Sequence, residues 1–179
     1  CEKLRIYYST HYNQLSEDFQ DDLIDFRAIR FSGLISTETE PQGGTSDYIP
    51  QMLHSAARGE KYNCFVENNT KMPFMVMPDA INGIIKLMNA NKNSLNRDVY
   101  HIQAFTPTVQ DIYEKISPMF PAFTLKYDIN PKRQALVDSW PSKLNQTSAE
   151  KDWGWKAEYD FNKAFEEYLI PKIKKHYNR

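Results

Sequence analysis

The stretch Phe74-Met75-Val76-Met77-Pro78-Asp79-Ala80-Ile81-Asn82-Gly83-Ile84-Ile85-Lys86-Leu87-Met88 carries two patterns back to back. Phe74 to Met77 is a short apolar run of strand type, and Pro78-Asp79 then opens a helix with Ile81, Ile84, Ile85 and Met88 at core spacing. Working outward, Asp98 to Ile102 is a further strand, and Thr106-Pro107 starts a helix with Thr106 as cap and Val109, Ile112, Tyr113 and Ile116 as its apolar face. Phe123 to Tyr127 reads as a strand, and Thr147-Ser148-Ala149-Glu150 has capping-box spacing for a short helix. A last helix covers Phe161 to Tyr177, disturbed by Pro171. Upstream, Asp25 to Phe31 is a strand leading to Ser32-Gly33, and Pro41 to Ser46 is a loop. A helix carrying Tyr48, Met52 and Ala56 follows, stopped by Gly59, and Tyr62 to Val66 is another strand. Strands alternating with helices predict an α/β fold.

The first residues put Cys1, Leu4, Tyr8 and Tyr12 on one helix face. No Ser, Thr, Asp or Asn precedes Leu4 to satisfy the first free N–H groups. The pattern therefore predicts a helix whose earlier turns lie upstream of Cys1; a frayed start is the alternative.

Composition narrows the chemistry. With 179 residues, 41% of them hydrophobic, the chain can bury one core. A net charge of −1 argues against a nucleic-acid binder, which needs a basic stripe for phosphates. No apolar run approaches the roughly 18 residues of a membrane span. Two cysteines, Cys1 and Cys64, are too few for a disulfide framework and suit a reducing compartment. Two glycosylation sequons, at Asn68-Asn69-Thr70 and Asn145-Gln146-Thr147, read as chance matches.

The six glycines contain no nucleotide-binding fingerprint, because none are spaced to bring backbone N–H groups to a pyrophosphate. The four histidines are scattered and form no metal-ligand set with Cys or carboxylates. Cys64, in a strand, is a small buried residue. Tyr159/Lys163 and Tyr168/Lys172 have the one-turn spacing of a proton-abstracting pair, but Pro171 disrupts the second, and the first sits at a helix edge without a glycine-rich partner. Two segments carry more promise. Gly43-Gly44-Thr45-Ser46-Asp47-Tyr48 enters a helix with exposed N–H groups and hydroxyls, suited to an anion or to plain capping. Ser139-Trp140-Pro141 offers an indole fixed by proline, placed to close over a ligand or simply to pack.

At these residues the chain resembles the short-chain dehydrogenase type of L-threonine 3-dehydrogenase, in the extended, epimerase-like branch of that superfamily. Five blocks match in order: Arg30 to Ser36, Gly43 to Tyr48, Lys71 to Ala80, Arg133-Gln134-Ala135 with Asp138-Ser139-Trp140-Pro141, and Lys151-Asp152-Trp153-Gly154-Trp155. The resemblance implies the C-terminal part of an extended Rossmann-type enzyme. Residues 1–36 would be the tail of the catalytic helix and the following core strand, and 37–179 mostly a substrate-binding region with segments returning to the Rossmann domain. It also implies that the catalytic Tyr and Lys and the NAD fingerprint lie in sequence before Cys1, leaving no catalytic residue in this chain. One departure stands out: the family usually has proline where this chain has Ser32.

By the same resemblance the intact protein oxidises the threonine side-chain alcohol with NAD, giving 2-amino-3-oxobutanoate. Thr45, Gly44 and Ser36 would meet the substrate, Trp140 would cover it, and Arg30 would brace strand and pocket. Phe31, Ser32 and Leu34 would wall the nicotinamide side, with no metal. A sugar-nucleotide epimerase or dehydratase of the same superfamily is the alternative, disfavoured by the lack of a close Arg/Lys cluster in the matching loops. A non-catalytic binding module is a second alternative. The family implies a homodimer with Leu4 and Tyr8 near the contact, in the cytoplasm or, for eukaryotes, the mitochondrion.

Overall fold

The computed structural model describes residues 2–12, 14–18 and 24–177. Cys1, expected on the face of the first helix, lies outside them. That helix, α1 (Glu2–Thr10), leaves Leu4, Tyr8 and Tyr12 about half exposed or more.

Every strand pair among the described residues is parallel, as an α/β fold requires. β1 (Ala28–Phe31) pairs with β5 (Val99–Ile102), β2 (Gly33–Ile35) with β4 (Phe74–Val76), and β3 (Lys61–Cys64) with β6 (Thr124–Tyr127). β1 and β2 are one extended run that changes partner at Ser32. The Ser32 N–H donates to the Ile102 carbonyl at 3.2 Å and the Gly33 N–H to the Pro73 carbonyl at 3.0 Å. Successive N–H groups of a strand point to opposite edges. So β5 lies on one edge of the lower half and β4 on the other edge of the upper half.

Two cores follow. The first surrounds α2 (Tyr48–Arg58), whose Tyr48, Ile49, Met52 and Leu53 pack with Phe74, Ile112 and Phe165. As expected, Gly59 stops α2 in the left-handed region at φ 73°, letting Glu60 N–H reach the Ser55 carbonyl. Cys64 is fully buried here, and burial pushes its thiol up to about 11, so it packs as a neutral apolar group. The second core lies between α3 (Met77–Asn89) and the β1–β5 pair, and includes Tyr100, Ile102 and Trp155.

The face of α3 that packs is not the one its isoleucines predict. Ala80, Gly83 and Leu87 are buried, whereas Ile81, Ile84, Ile85 and Met88 are 51, 42, 52 and 69% exposed. Close approach decides this. A Cβ on Gly83 would sit 2.9 Å from Ile102 Cδ1 and 3.1 Å from Trp155 Cζ3, so only the small-residue side can come down onto the sheet.

Three terminal details also differ. α4 (Val109–Ile116) is capped by Thr108, not Thr106, because only Thr108 has a carboxylate three residues on. Asp111 N–H donates to the Thr108 hydroxyl at 3.0 Å, and Thr108 N–H to the Asp111 carboxylate at 2.8 Å. α6 (Thr147–Trp153) makes no such box: Thr147 is already helical, and its N–H donates to Asn145 Oδ1. An unforeseen helix, α5 (Pro131–Asp138), is started by Asn130, whose side chain accepts from Lys132 and Arg133 N–H, with Pro131 in the first turn.

The last helix is disturbed as Pro171 predicts. α7 (Phe161–Lys163) and α8 (Ile170–His176) are joined by a π-turn over Ala164–Leu169, since Pro171 has no N–H for the regular ladder. Among the described residues no helix is long and apolar enough to cross a membrane.

His54 in α2 is 1% exposed, with Nδ1 2.9 Å from the Tyr177 hydroxyl. Burial, helped by the His176 and Arg58 charges and opposed by that of Glu40, holds its pKa below the ordinary imidazole value. A depressed folded pKa makes its stability contribution complete above the unfolded value and lost as pH falls through the folded one. Urea melts between about pH 5 and 8 should show stability rising with pH, with a smaller slope in His54→Gln.

Candidate functional site

β1 ends, β2 begins and the segment entering β4 arrives at one place, forming a cleft of about 290 Å³. That suits a small ligand better than a drug-sized one. Phe31, Ser32 and Gly33 form one wall, Met72 and Pro73 another, and Trp140 with Pro141 and Leu144 stands over them.

Gly33 is required for this packing. A Cβ there would lie 2.5 Å from the Phe74 ring and 2.7 Å from the Met72 methyl. Ser32 is 8% exposed, and its buried hydroxyl has no hydrogen-bond partner among the described residues. An unpaired buried hydroxyl is costly, and one beside a cleft is a ready contact for a polar ligand group. Trp140 is 39% exposed, so it is not an ordinary core tryptophan. It sits just beyond α5, where the Trp140 N–H donates to the Val137 carbonyl at 3.0 Å and the Ser139 hydroxyl donates to the Leu136 carbonyl at 2.6 Å.

The glycine loop is held from outside. The Arg133 guanidinium lies 3.4 Å over the Phe65 ring and donates to the carbonyls of Gly43 and Gly44 at 3.0 and 2.6 Å. Gly43 takes φ 94°, which glycine tolerates and other residues rarely do. The Gly44 N–H, a candidate anion donor, is already taken by the Asp47 carboxylate at 2.6 Å. Thr45 is half-buried and does not line the cleft; its neighbour Ser46 does. Arg133→Lys should free the loop, because lysine cannot stack flat and bond two carbonyls at once. Losing charged hydrogen bonds of about 1.5–3 kcal/mol each should speed amide exchange across Gly43–Asp47 about tenfold or more. Unchanged exchange would show that the loop holds itself.

Other predicted site residues are placed elsewhere. Leu34 is 37% exposed and does not line the cleft. The Ser36 hydroxyl accepts from Glu38 and Thr39 N–H at 3.2 and 3.4 Å, shaping the turn beyond β2. Arg30 points away from the cleft and clasps Glu2 of α1 at 2.8 and 2.5 Å, a bond that holds the Glu2 carboxyl below its usual range. Arg30 also lines a second groove of about 690 Å³ with Arg97, His101 and Lys143, which meets the first cleft at Pro141 and Leu144. Desolvation, then the Arg30 charge, lowers the His101 pKa there. The matching loops show no basic cluster in sequence, but folding collects one from three separate segments.

Of the two Tyr/Lys pairs, the Lys163 ammonium lies 4.9 Å over the Tyr159 ring and the Lys172 ammonium 5.8 Å over that of Tyr168. These are face contacts, which place no charge beside a hydroxyl. No group of three or more metal-ligating side chains occurs among the described residues. Ser46 was one of the hydroxyls noted in the glycine loop, whereas Met72, Pro73 and Leu144 were not foreseen as lining residues. Met72 and Pro73 belong to a matching block, so a signal existed; Leu144 had none.

No family model matches the chain. The chain is 34% identical over 137 residues to the mitochondrial L-threonine 3-dehydrogenase of Bos taurus, covering 76% of this chain and 37% of that protein. An uncharacterized epimerase/dehydratase of Staphylococcus saprophyticus is 40% identical over 140 residues, covering 78% and 44%. The solved structure of a monomeric L-threonine 3-dehydrogenase from a metagenome superposes with a TM-score of 0.83 at 34% identity, covering 97% of this chain and 53% of that one. The chain thus spans about half the length of the proteins it matches, and its solved neighbours have Rossmann-type folds. In sequence and in fold, the chain is homologous to the epimerase-like L-threonine 3-dehydrogenases over the half of their length that it covers.

Proposed function

We propose that this chain is the C-terminal, substrate-recognising part of an NAD-dependent L-threonine 3-dehydrogenase. The carrying observation is the small cleft at the β1–β2 junction, with the unpaired Ser32 hydroxyl in its wall and the half-exposed Trp140 above it. In this reading residues 1–36 belong to the Rossmann domain and 37–179 mostly to the substrate region. The proton-abstracting Tyr and Lys and the main nucleotide contacts come from the other half, so this chain is inactive alone.

The wall fits the nicotinamide end of NAD: Phe31 offers a flat apolar surface and the Ser32 hydroxyl an unused polar contact. NAD, when bound, supplies the hydride acceptor. Trp140 shields the ligand from water, and the loop at Gly44, Thr45 and Ser46 orients the amino acid through hydroxyls rather than through the occupied Gly44 N–H. Orientation of this kind is worth orders of magnitude in rate. In the intact enzyme, Trp140→Ala and Thr45→Ala should each cut kcat/KM for threonine by about tenfold or more. Unchanged kinetics in both variants would overturn the assignment.

The basic groove favours one second reading, a sugar-nucleotide epimerase or dehydratase, because Arg30, Arg97 and Lys143 suit a diphosphate next to the cleft. Turnover of a nucleotide sugar but not threonine would establish it. The exposed Leu4 and Tyr8 of α1 suit a homodimer contact. Sedimentation of the intact protein tests this, and a monomer, as in the metagenome relative, would remove it.

A further inference from the structure

We infer that Gln134, together with Arg133, is a positioning residue that sets how Trp140 stands over the cleft. What the cleft holds follows the dehydrogenase reading; the coupling is drawn from the contacts of α5 alone.

Helix α5 is weakly held by packing. Of its eight residues only Val137 is buried, whereas Leu136 and the following Trp140 are 46 and 39% exposed. A surface helix normally lays an apolar stripe on the core, and that stripe fixes its pose. One buried valine fixes a point but not an orientation, so the pose of α5 falls to its polar side chains.

Two adjacent residues supply the missing contacts, and each reaches a different side of the cleft. Arg133 bonds the Gly43 and Gly44 carbonyls, in the loop that brings Ser46 to the cleft. Gln134 reaches the turn that precedes Met72 and Pro73. Its Oε1 accepts from Glu67 N–H at 2.9 Å, and its Nε2 donates to the Thr70 hydroxyl at 3.1 Å. The same Nε2 donates its other proton to Asp138 Oδ1 at 2.8 Å, one helical turn on. Thr70 is 5% exposed, and its N–H closes the turn on the Glu67 carbonyl at 3.2 Å, so the far end of this clamp is itself held.

The Gln134 amide thus ties the Met72–Pro73 wall to the last turn of α5. Trp140 follows Asp138 by two residues, and its N–H bond to the Val137 carbonyl makes it move with the helix. A tilt of α5 would therefore displace the indole from the cleft. It would leave the Phe31 to Gly33 wall, which belongs to the β1–β2 run, in place. Gln134 accordingly acts on the amino-acid side of the site and not on the nicotinamide side.

The test is Gln134→Met in the intact enzyme, a change of similar volume that removes all three amide bonds. The KM for threonine should rise about tenfold while the KM for NAD stays within about twofold. In fluorotryptophan-labelled protein, with Trp140→Phe identifying the signal, the Trp140 fluorine resonance should shift. Combining Gln134→Glu with Asp138→Asn reverses the donor between the two side chains, and the Thr70 hydroxyl can donate as well as accept. That double variant should recover the threonine KM to within about threefold of wild type, which Gln134→Glu alone should not. An unmoved Trp140 resonance, equal rises in both KM values, or no recovery in the double variant would overturn the inference. A displaced Trp140 resonance in an enzyme whose threonine kinetics are unchanged, or absent from the start, would leave the coupling standing and remove the threonine reading of the cleft.

Discussion

Trp155→Ala is expected to cost about 3–5 kcal/mol, the largest loss from any single substitution in the second core. Trp155 is 2% exposed and fills the space beneath α3, where Gly83 leaves room for its ring. Its indole N–H donates to Gln146 Oε1 at 3.2 Å, and its ring tilts against Trp153 at 5.7 Å between centroids. Gly154, at φ 68°, ends α6 and turns the chain so that the Trp155 N–H meets the Ala149 carbonyl at 3.1 Å. Alanine would leave a cavity between α3, β5 and α6 that backbone elements cannot close. Urea unfolding of the chain measures the loss, and a cost below about 1.5 kcal/mol would mean that α3 collapses into the gap. Trp140→Ala is the internal control. That side chain is 39% exposed, so its removal should change stability by less than about 1 kcal/mol.

Asp79→Ala is the second large effect, at about 2–4 kcal/mol. Asp79 is 1% exposed at the start of α3, and its two carboxylate oxygens accept from Glu158 N–H at 2.8 Å and Tyr159 N–H at 3.2 Å. Alanine leaves both part-buried donors without their acceptor, at up to about 1–3 kcal/mol each before relaxation. Asn is only a partial substitute, since its amide presents a donor to one of the two N–H groups. The pH dependence has a definite sign. Burial raises the Asp79 pKa more than the two N–H bonds lower it. A raised folded pKa gives a contribution that is complete below the unfolded value and declines as pH rises through the folded one. The stability difference between wild type and Asp79→Asn should therefore shrink on going from acid toward neutral pH. A difference that grows over that range would show that the bonds to Glu158 and Tyr159 outweigh burial.

Much of the architecture was legible because it is written in local physics. Gly59 and Pro171 act through their own backbone restrictions, and each does in the structure what it predicts. The strand–helix alternation needs only side-chain period, and it gave the correct fold class. Cap positions were less legible. Thr106 and Thr108 are both plausible caps, and the choice fell to the one with a reciprocal carboxylate, whereas Thr147 has such a partner in Glu150 and still does not cap its helix. The helix α5 had a signal in Asn130-Pro131 that a polar, weakly periodic segment obscured.

The candidate site shows the same division. Matching blocks pointed to Phe31, Ser32 and Trp140, and these meet in one cleft. They also pointed to Arg30 and Leu34, which lie on the same strand run but do not line the cleft. Arg133 was noted only as part of a block. Its hold on the Gly43–Gly44 loop spans about 90 residues of chain and has no sequence period to betray it.

By itself, then, the sequence determined the α/β class, the ends of several elements and the half of the relatives that the chain resembles. All of these depend on neighbours within a turn or two, or on ordered blocks of residues. The tertiary structure decided which face of α3 is buried, which donors around Gly44 are spent and which basic groups share a groove. Those outcomes depend on close approach between distant segments. The exposed isoleucines of α3 are the clearest case: their spacing marks a face that must be covered, and Gly83 against Ile102 and Trp155 settles that this sheet does not cover it.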